Sequence, residues 1–233
     1  MAAVVVAASL LVGCGGSEDN DSAGPPPNGV AELEPDRILE MSKAAAKAAS
    51  SVHLKGTIKD SDGSTTIDLR YNRDAGTVGA VTLNGQSVEL VALGQDVFFR
   101  AAKDTWTELT GDERAAELIG DRWVKLPSQA PGFEAVMTLA SFNRFVEEAL
   151  SPDSTLTKTD IKTVRGLKVV GVVEEAHPDR GALYVATEGE PYPVQVQGDT
   201  GQGALDFVAW NEPVDVQAPP SDQVVDLSQF SRR

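Results

Sequence analysis

The feature that most constrains the fold of this chain is a series of short runs in which apolar and polar residues alternate. The first five runs are residues 52–58, 66–71, 77–83, 87–93 and 96–100. Residues 60–64, Asn84-Gly85 and Gly94-Gln95 separate them and have the composition of turns, with Asn-Gly a strong hairpin signal. Alternation with a period of two is typical of half-buried strands. This part of the chain therefore predicts an antiparallel meander with one solvated face.

A second series of strand-like runs follows in the last third of the chain. These runs are residues 156–165, 167–173, 182–186, 194–197 and 204–210. The tail from Pro213 contains Val-Asp-Val and then Pro219-Pro220, and it is predicted to be loosely ordered except for a contact or two.

Three segments have helical rather than strand periodicity. They are residues 36–51, 112–119 and 133–150. The buried face of the first is mostly alanine, including Ala45 and Ala49, so it either packs closely on a sheet or leaves room for something else. Val136 and Leu139 lie on the apolar face of the third. Helices grouped against one antiparallel sheet define an α+β fold.

The N-terminal segment indicates export. Residues 8–13 are a short apolar run, too short to span a bilayer, and they end at Cys14. This arrangement resembles the bacterial lipobox, in which the cysteine thiol receives a diacylglycerol and becomes the first mature residue. We therefore expect residues 1–13 to be a lipoprotein signal peptide and residues 14–35 to be a lipidated cysteine with an acidic, Pro- and Gly-rich tether. Residues 36–230 are the predicted folded domain.

Charge and cysteine usage narrow the choice of partners. The formal net charge of −15 argues against nucleic acid, whose phosphates are bound by Lys and Arg. It also argues against an electrostatic membrane patch, because anionic head groups would repel the chain. Since Cys14 is the only cysteine, no internal disulfide can form and stability must come from a packed core.

No motif in the sequence supports catalysis, a cofactor or a metal. The G-x-S-x-G, P-loop and H-E-x-x-H patterns are absent. His53 is expected at the surface of a strand, and His177 lies in the charged segment 174–179, which is explained most simply as a turn. Asp60 and Asp62 lack the spacing of a calcium loop. We therefore expect a protein that is not an enzyme and has no cofactor.

One segment carries a family resemblance. A strand at residues 97–100 is followed by Trp106 and then by residues 118–127, which contain Gly-Asp-Arg-Trp-Val-Lys. With the lipobox, the tether and the meander, this segment resembles the LppX/LprAFG lipoproteins of actinobacteria. The resemblance implies a fold like that of LolA and LolB, a curved, incompletely closed antiparallel sheet (a half-barrel) with helices on its concave face. We also expect Trp123 to pack between a strand and a helix.

The resemblance further implies a hydrophobic cavity for acylated lipids or glycolipids. The expected lining consists of inward positions of the early strands and of the facing helices: Leu54, Ile58, Ile67, Leu69, Val88, Leu90, Ala45, Ala49, Val136 and Leu139. On this interpretation the protein is a monomer anchored through Cys14 on the extracytoplasmic face of the cell membrane, with an envelope transport partner. The alternative is a protein-interaction or stress-sensing module of the same fold without a lipid ligand.

Overall fold

A computed structural model describes residues 24–60, 63–126, 134–178, 181–198 and 201–226. Over these residues the chain forms one sheet and five α-helices. The strands are β1 (Ser51–Asp60), β2 (Gly63–Asn72), β3 (Gly76–Leu83), β4 (Gln86–Leu93), β5 (Asp96–Ala101), β6 (Trp123–Leu126), β7 (Leu156–Lys158), β8 (Lys162–Val164), β9 (Leu167–Glu174), β10 (Ala182–Ala186), β11 (Pro193–Gln197), β12 (Gly203–Val208) and β13 (Val224–Asp226). The helices are α1 (Pro35–Ala48), α2 (Lys103–Thr110), α3 (Glu113–Ile119), α4 (Glu134–Leu139) and α5 (Phe142–Ala149).

The sheet is open, curved and almost entirely antiparallel. Its order is β13-β6-β5-β4-β3-β2-β1-β12-β11-β10-β9-β7, with β8 paired to β9. The first meander, β1 to β6, and the second, β9 to β12, join where β1 pairs with β12. Only the β13–β6 pair among the described strands is parallel. The predicted α+β class with a curved, incompletely closed sheet is confirmed.

Two glycines inside strands mark places where the curved sheet brings backbones close together. Gly56 in β1 and Gly79 in β3 have φ angles of 149° and 150°. A Cβ at Gly56 would lie 2.1 Å from the carbonyl oxygen of Ala204, and one at Gly79 would lie 2.0 Å from that of Asp68. Glycine inside a strand typically marks a bend or a close backbone approach. Only glycine fits at these two positions.

Register aligns one apolar row across nine strands on the face that the helices cover. We call it the concave row. Its members, in order across the sheet, are Val172, Leu183, Val196, Leu205, Gly56, Ile67, Val81, Val88 and Ala101. The eight with side chains belong to the main hydrophobic core or pack against it. The helices contribute Ile38, Trp106 and Val146 to the same core, each buried to 1% exposure or less.

The helices differ from the predicted ones at their ends and in number, because α2 (Lys103–Thr110) was not predicted. α1 begins at Pro35, which suits a first helical turn because proline has no N–H to leave unpaired, and it ends at Ala48 rather than 51. The predicted helix 133–150 is two helices, broken before Ser141, whose hydroxyl caps α5 by accepting from the amide of Arg144. Thr77 holds this break by donating to the carbonyl oxygen of Ala140 (2.8 Å).

The convex face carries two corrections. Trp123 is buried, but it packs with Val91 and Phe98 on the face opposite the helices, so the prediction that it lies between a strand and a helix is wrong. The C-terminal tail, predicted to be loosely ordered, covers this cluster. Val216 packs against it and Val224 opens β13, which pairs with β6. A parallel pairing between distant segments leaves no local signature in the sequence.

The folded part also begins before the predicted boundary at residue 36. The amide of Asn28 donates to the carbonyl oxygen of Thr187 (3.0 Å), and its side chain donates to that of Ala186 (3.0 Å). Val30 is completely buried. Residues 24–34 are thus packed on the sheet, whereas Cys14 lies outside the described residues.

Candidate functional site

The largest described pocket lies between the helices and the second meander. It has a volume of about 580 Å³, within the range of about 300–1,000 Å³ that is typical of ligand sites. Its apolar lining combines both helix and strand residues: Leu39, Leu150, Leu156, Val172, Leu183 and Val196. We call it the β9–β11 pocket.

Local sequence explains why a recess forms at this position. α5 ends at Ala149, and Ser151-Pro152 directs the chain away because the residue before proline avoids helical geometry. Beside this helix end, Val172 of β9 and Leu183 of β10 line the recess, and both are buried, with 4% and 8% of their surface exposed. The rim is polar and includes Glu148, Asp153 and Glu174, the last of which accepts a hydrogen bond from Ser154 (3.4 Å).

The β9–β11 pocket is continuous with the concave row. Val172, Leu183 and Val196 line the pocket and are also the first three members of that row. Leu205 is the next member and is buried beneath the helices. An apolar track therefore runs from the pocket toward the middle of the sheet.

An ion pair joins the two helices that frame the pocket. Lys47 on α1 donates to Glu147 on α5. This hydrogen bond, together with the charge of the ammonium group, lowers the pKa of the Glu147 carboxyl below its usual value. Because Glu147 is exposed, the pair adds little stability.

The cavity residues predicted from the sequence lie partly in the buried core and partly at its edge. Leu54, Ile67, Leu69 and Leu90 are buried in the main core. A second group is half-buried and packs against it: Ile58, Val88 and Leu139. Ala45 is also half-buried. The side chain of Val136 lies outside the described set.

Ala49 lines a second, smaller pocket of about 210 Å³ at the other end of the sheet, beside Tyr71 and Phe142. Burial raises the pKa of the Tyr71 phenol well above its usual value. The phenol donates to the carbonyl oxygen of Leu139 (2.9 Å).

Sequence reasoning missed the residues of the β9–β11 pocket. It chose lining positions from the first meander, whereas the pocket uses the second. The parity of Val196 was readable from the alternation in β11, and the helix stop at Ser151-Pro152 was readable as well. β9 and β10 are nearly continuous apolar runs, so the parity of Val172 and Leu183 was not readable from the sequence. Only the order of the strands in the sheet brings these residues and the helix end together.

The polar groups that were weighed for catalysis occupy structural positions. His53 lies on the face opposite Leu54, and its Nε2 is hydrogen-bonded to the carboxylate of Asp68 (2.8 Å). The same carboxylate accepts a hydrogen bond from Arg70 (3.3 Å). No group of three or more His, Cys, Asp or Glu within the described ranges is placed to hold a metal ion. Likewise, no helix in those ranges is long and apolar enough to cross a membrane.

Comparison with known proteins gives structural neighbours only. No protein-family model and no curated protein matches the chain. LprF from Mycobacterium bovis is 16% identical with a TM-score of 0.49, covering 84% of this chain and 99% of LprF. The Mycobacterium tuberculosis lipoprotein LppX is 20% identical with a TM-score of 0.47, covering 78% and 99%. An uncharacterized conserved protein from Thermus thermophilus is 11% identical with a TM-score of 0.41, covering 82% and 98%. LprF and LppX carry the names of the group that the sequence resembles.

Proposed function

We propose that this protein is an extracytoplasmic lipoprotein, anchored to the cell membrane through Cys14, that binds or carries acylated lipids or glycolipids. The observation that carries the proposal is the β9–β11 pocket, a recess of about 580 Å³ whose apolar lining continues into the concave row. An acyl chain suits such a recess because each buried CH₂ contributes about 0.8 kcal/mol.

The pocket serves as the entrance of the site in this proposal. The acyl chain enters between Leu39 and Leu183, and the polar rim stays with the lipid head group in water. Deeper positions of the concave row, Ile67 and Val88 among them, extend the site when the helices above them shift. Of the residues expected from the sequence, Ile67 and Val88 would thus form the inner wall, and residues of the second meander would form the mouth.

The test compares the lipid content of two matched variants, each of which replaces an exposed alanine by tryptophan. Ala149 is exposed and lines the pocket, whereas Ala44 is exposed on α1 and is not part of its lining. The full chain is expressed in an actinobacterial host and examined by native mass spectrometry and organic extraction. We expect Ala149→Trp to reduce the lipid bound per protein and Ala44→Trp to leave it unchanged.

Thermal unfolding controls for misfolding. Both alanines are exposed, so neither tryptophan overpacks the core and both variants should melt near the wild-type temperature. If the wild-type protein contains no lipid and takes up none of the acylated lipids offered to it, the lipid-binding proposal fails. That result would favour the alternative of a protein-interaction module.

A further inference from the structure

The hairpin formed by β8 and β9 (residues 161–168) carries exposed apolar side chains. Ile161 and Leu167 are each more than half exposed, and they account for two of the four large apolar side chains that are exposed among the described residues. The two strands are joined by a two-residue turn of Arg165 and Gly166, both with positive φ. A two-residue turn with positive φ at both positions matches the twist of the strands that it joins.

The same hairpin is locally basic in an otherwise acidic chain. Lys162, Arg165 and Lys168 are all exposed. Arg165 pairs with Asp206 (2.7 Å), and the side chains are 43% and 17% exposed respectively. Lys168 pairs with Glu188 (2.7 Å), and the side chains are 63% and 26% exposed. In both pairs the cation is more exposed than its carboxylate, so Arg165 and Lys168 present their positive ends at the outer surface of the hairpin, which Asp160, also exposed, precedes in the chain.

The chain leaves the domain beside this hairpin. Gly24 is the first described residue, and Glu188 lies next to it, 4.0 Å from the position that a Cβ on Gly24 would take. The amide of Gly189 donates to the carbonyl oxygen of Pro26 (3.0 Å). Glu188 is also the partner of Lys168. Residues 14–23 can span at most about 35 Å even when fully extended.

We propose that this hairpin docks on the anionic bilayer to which the protein is anchored. The inference rests on the proposed lipid anchor at Cys14. The anchor holds this end of the domain near the membrane, where Lys and Arg side chains are attracted to anionic lipid and Ile161 and Leu167 enter the interface. The overall negative charge of the protein opposes docking only weakly, because salt screens the charges that lie more than about 8 Å from the bilayer. This proposal departs from the expectation, drawn from the net charge, that the chain has no electrostatic membrane patch.

Docking at this end places the β9–β11 pocket away from the bilayer. β9 begins at Leu167 in the hairpin and ends at Glu174 on the pocket rim. Its eight residues separate the two by about 23 Å at roughly 3.3 Å per residue. Lipid would therefore enter and leave on the side facing away from the anchoring membrane.

The experiment measures amide hydrogen exchange of the full chain on vesicles. One arm uses the natively acylated protein. In the other, the Cys14 thiol, the only thiol in the chain, is coupled to a maleimide lipid, so docking is tested even if acylation fails. Vesicles are phosphatidylcholine, with or without phosphatidylglycerol. On phosphatidylglycerol vesicles we expect peptides covering 161–168 to exchange several-fold more slowly, while the β3–β4 hairpin, residues 83–86, is unchanged.

Matched variants separate docking from general effects. Ile161→Asp with Leu167→Asp should remove the protection, whereas Leu118→Asp, at another exposed leucine on α3, should not. Equal exchange on vesicles and in solution, equal protection on phosphatidylcholine alone, or loss of protection in Leu118→Asp would overturn the proposal. Failure of native acylation shows separately, as absence of the protein from floated vesicles, and lipid content of the pocket is measured by extraction.

Discussion

Arg100 lies over the indole ring of Trp123 on the convex face, with its Cζ 4.8 Å from the ring centroid. The same guanidinium donates to both carboxylate oxygens of Glu89 (3.1 and 2.6 Å). Val216 and Val224 from the C-terminal tail pack against the cluster that contains Trp123. The part of the first meander formed by β4, β5 and β6 is therefore covered on both faces, by helices on one side and by the C-terminal tail on the other.

Truncating Trp123 should be costly. Trp123→Ala should lower the free energy of unfolding by about 3–5 kcal/mol, because it removes a buried aromatic side chain. Arg100→Ala should cost only about 0.5–1 kcal/mol, since it removes a partly exposed cation–π contact. Urea unfolding measures both. A loss well below about 1 kcal/mol for Trp123→Ala would contradict its burial.

Tyr71 should make the protein less stable at alkaline pH. Burial raises the pKa of its phenol, so above the unfolded-state value of about 10 the unfolded chain ionises while the folded chain does not. Stability from this group is therefore fully present below about pH 10 and falls as pH rises further. Tyr71→Phe should flatten this decline while costing about 1 kcal/mol at neutral pH for the lost bond to Leu139. A decline equally steep in both proteins would assign it to other groups.

Gly56 should tolerate no side chain. Gly56→Ala combines a positive φ with a Cβ 2.1 Å from the carbonyl oxygen of Ala204, so β1 and β12 would have to move apart. Gly94→Ala is the matched control, because φ there is also positive but no atom lies within 4 Å. The control should cost about 1–2 kcal/mol from backbone strain alone, and Gly56→Ala clearly more. Equal losses on thermal unfolding would remove the steric part of the explanation.

Cys14→Ser tests the anchor. Serine cannot accept the thioether-linked diacylglycerol, so the variant should appear in the medium or remain unprocessed. Fractionation of membranes and medium, with mass measurement of the processed chain, distinguishes these outcomes from the wild type. A normally processed serine variant that still fractionates with membranes would rule out acylation at this cysteine as the means of attachment.

Strand and hairpin positions could be predicted because their causes are local. Alternation assigned Leu54 and Leu69 to one face, and register pairs them directly across β1 and β2. Asn84-Gly85 forms the turn between β3 and β4, as its turn chemistry predicts. The break inside the helix predicted at 133–150 was harder, because it is stabilised by Thr77, which is far from Ala140 in sequence.

The sequence by itself determined the class of the fold, the parity of the alternating strands and the turns between them, since each depends on residues within a few positions of one another. It did not show that the run predicted as one strand at 156–165 is two strands, β7 and β8. Tertiary structure alone decided that β1 meets β12, which brings the second meander beside the first. It also decided that the tail covers Trp123, and that α5 stops short of Val172 and Leu183 to leave a pocket. These features join residues far apart in the chain. Local periodicity says which side chains share a face, but only the packing of distant segments determines what covers that face.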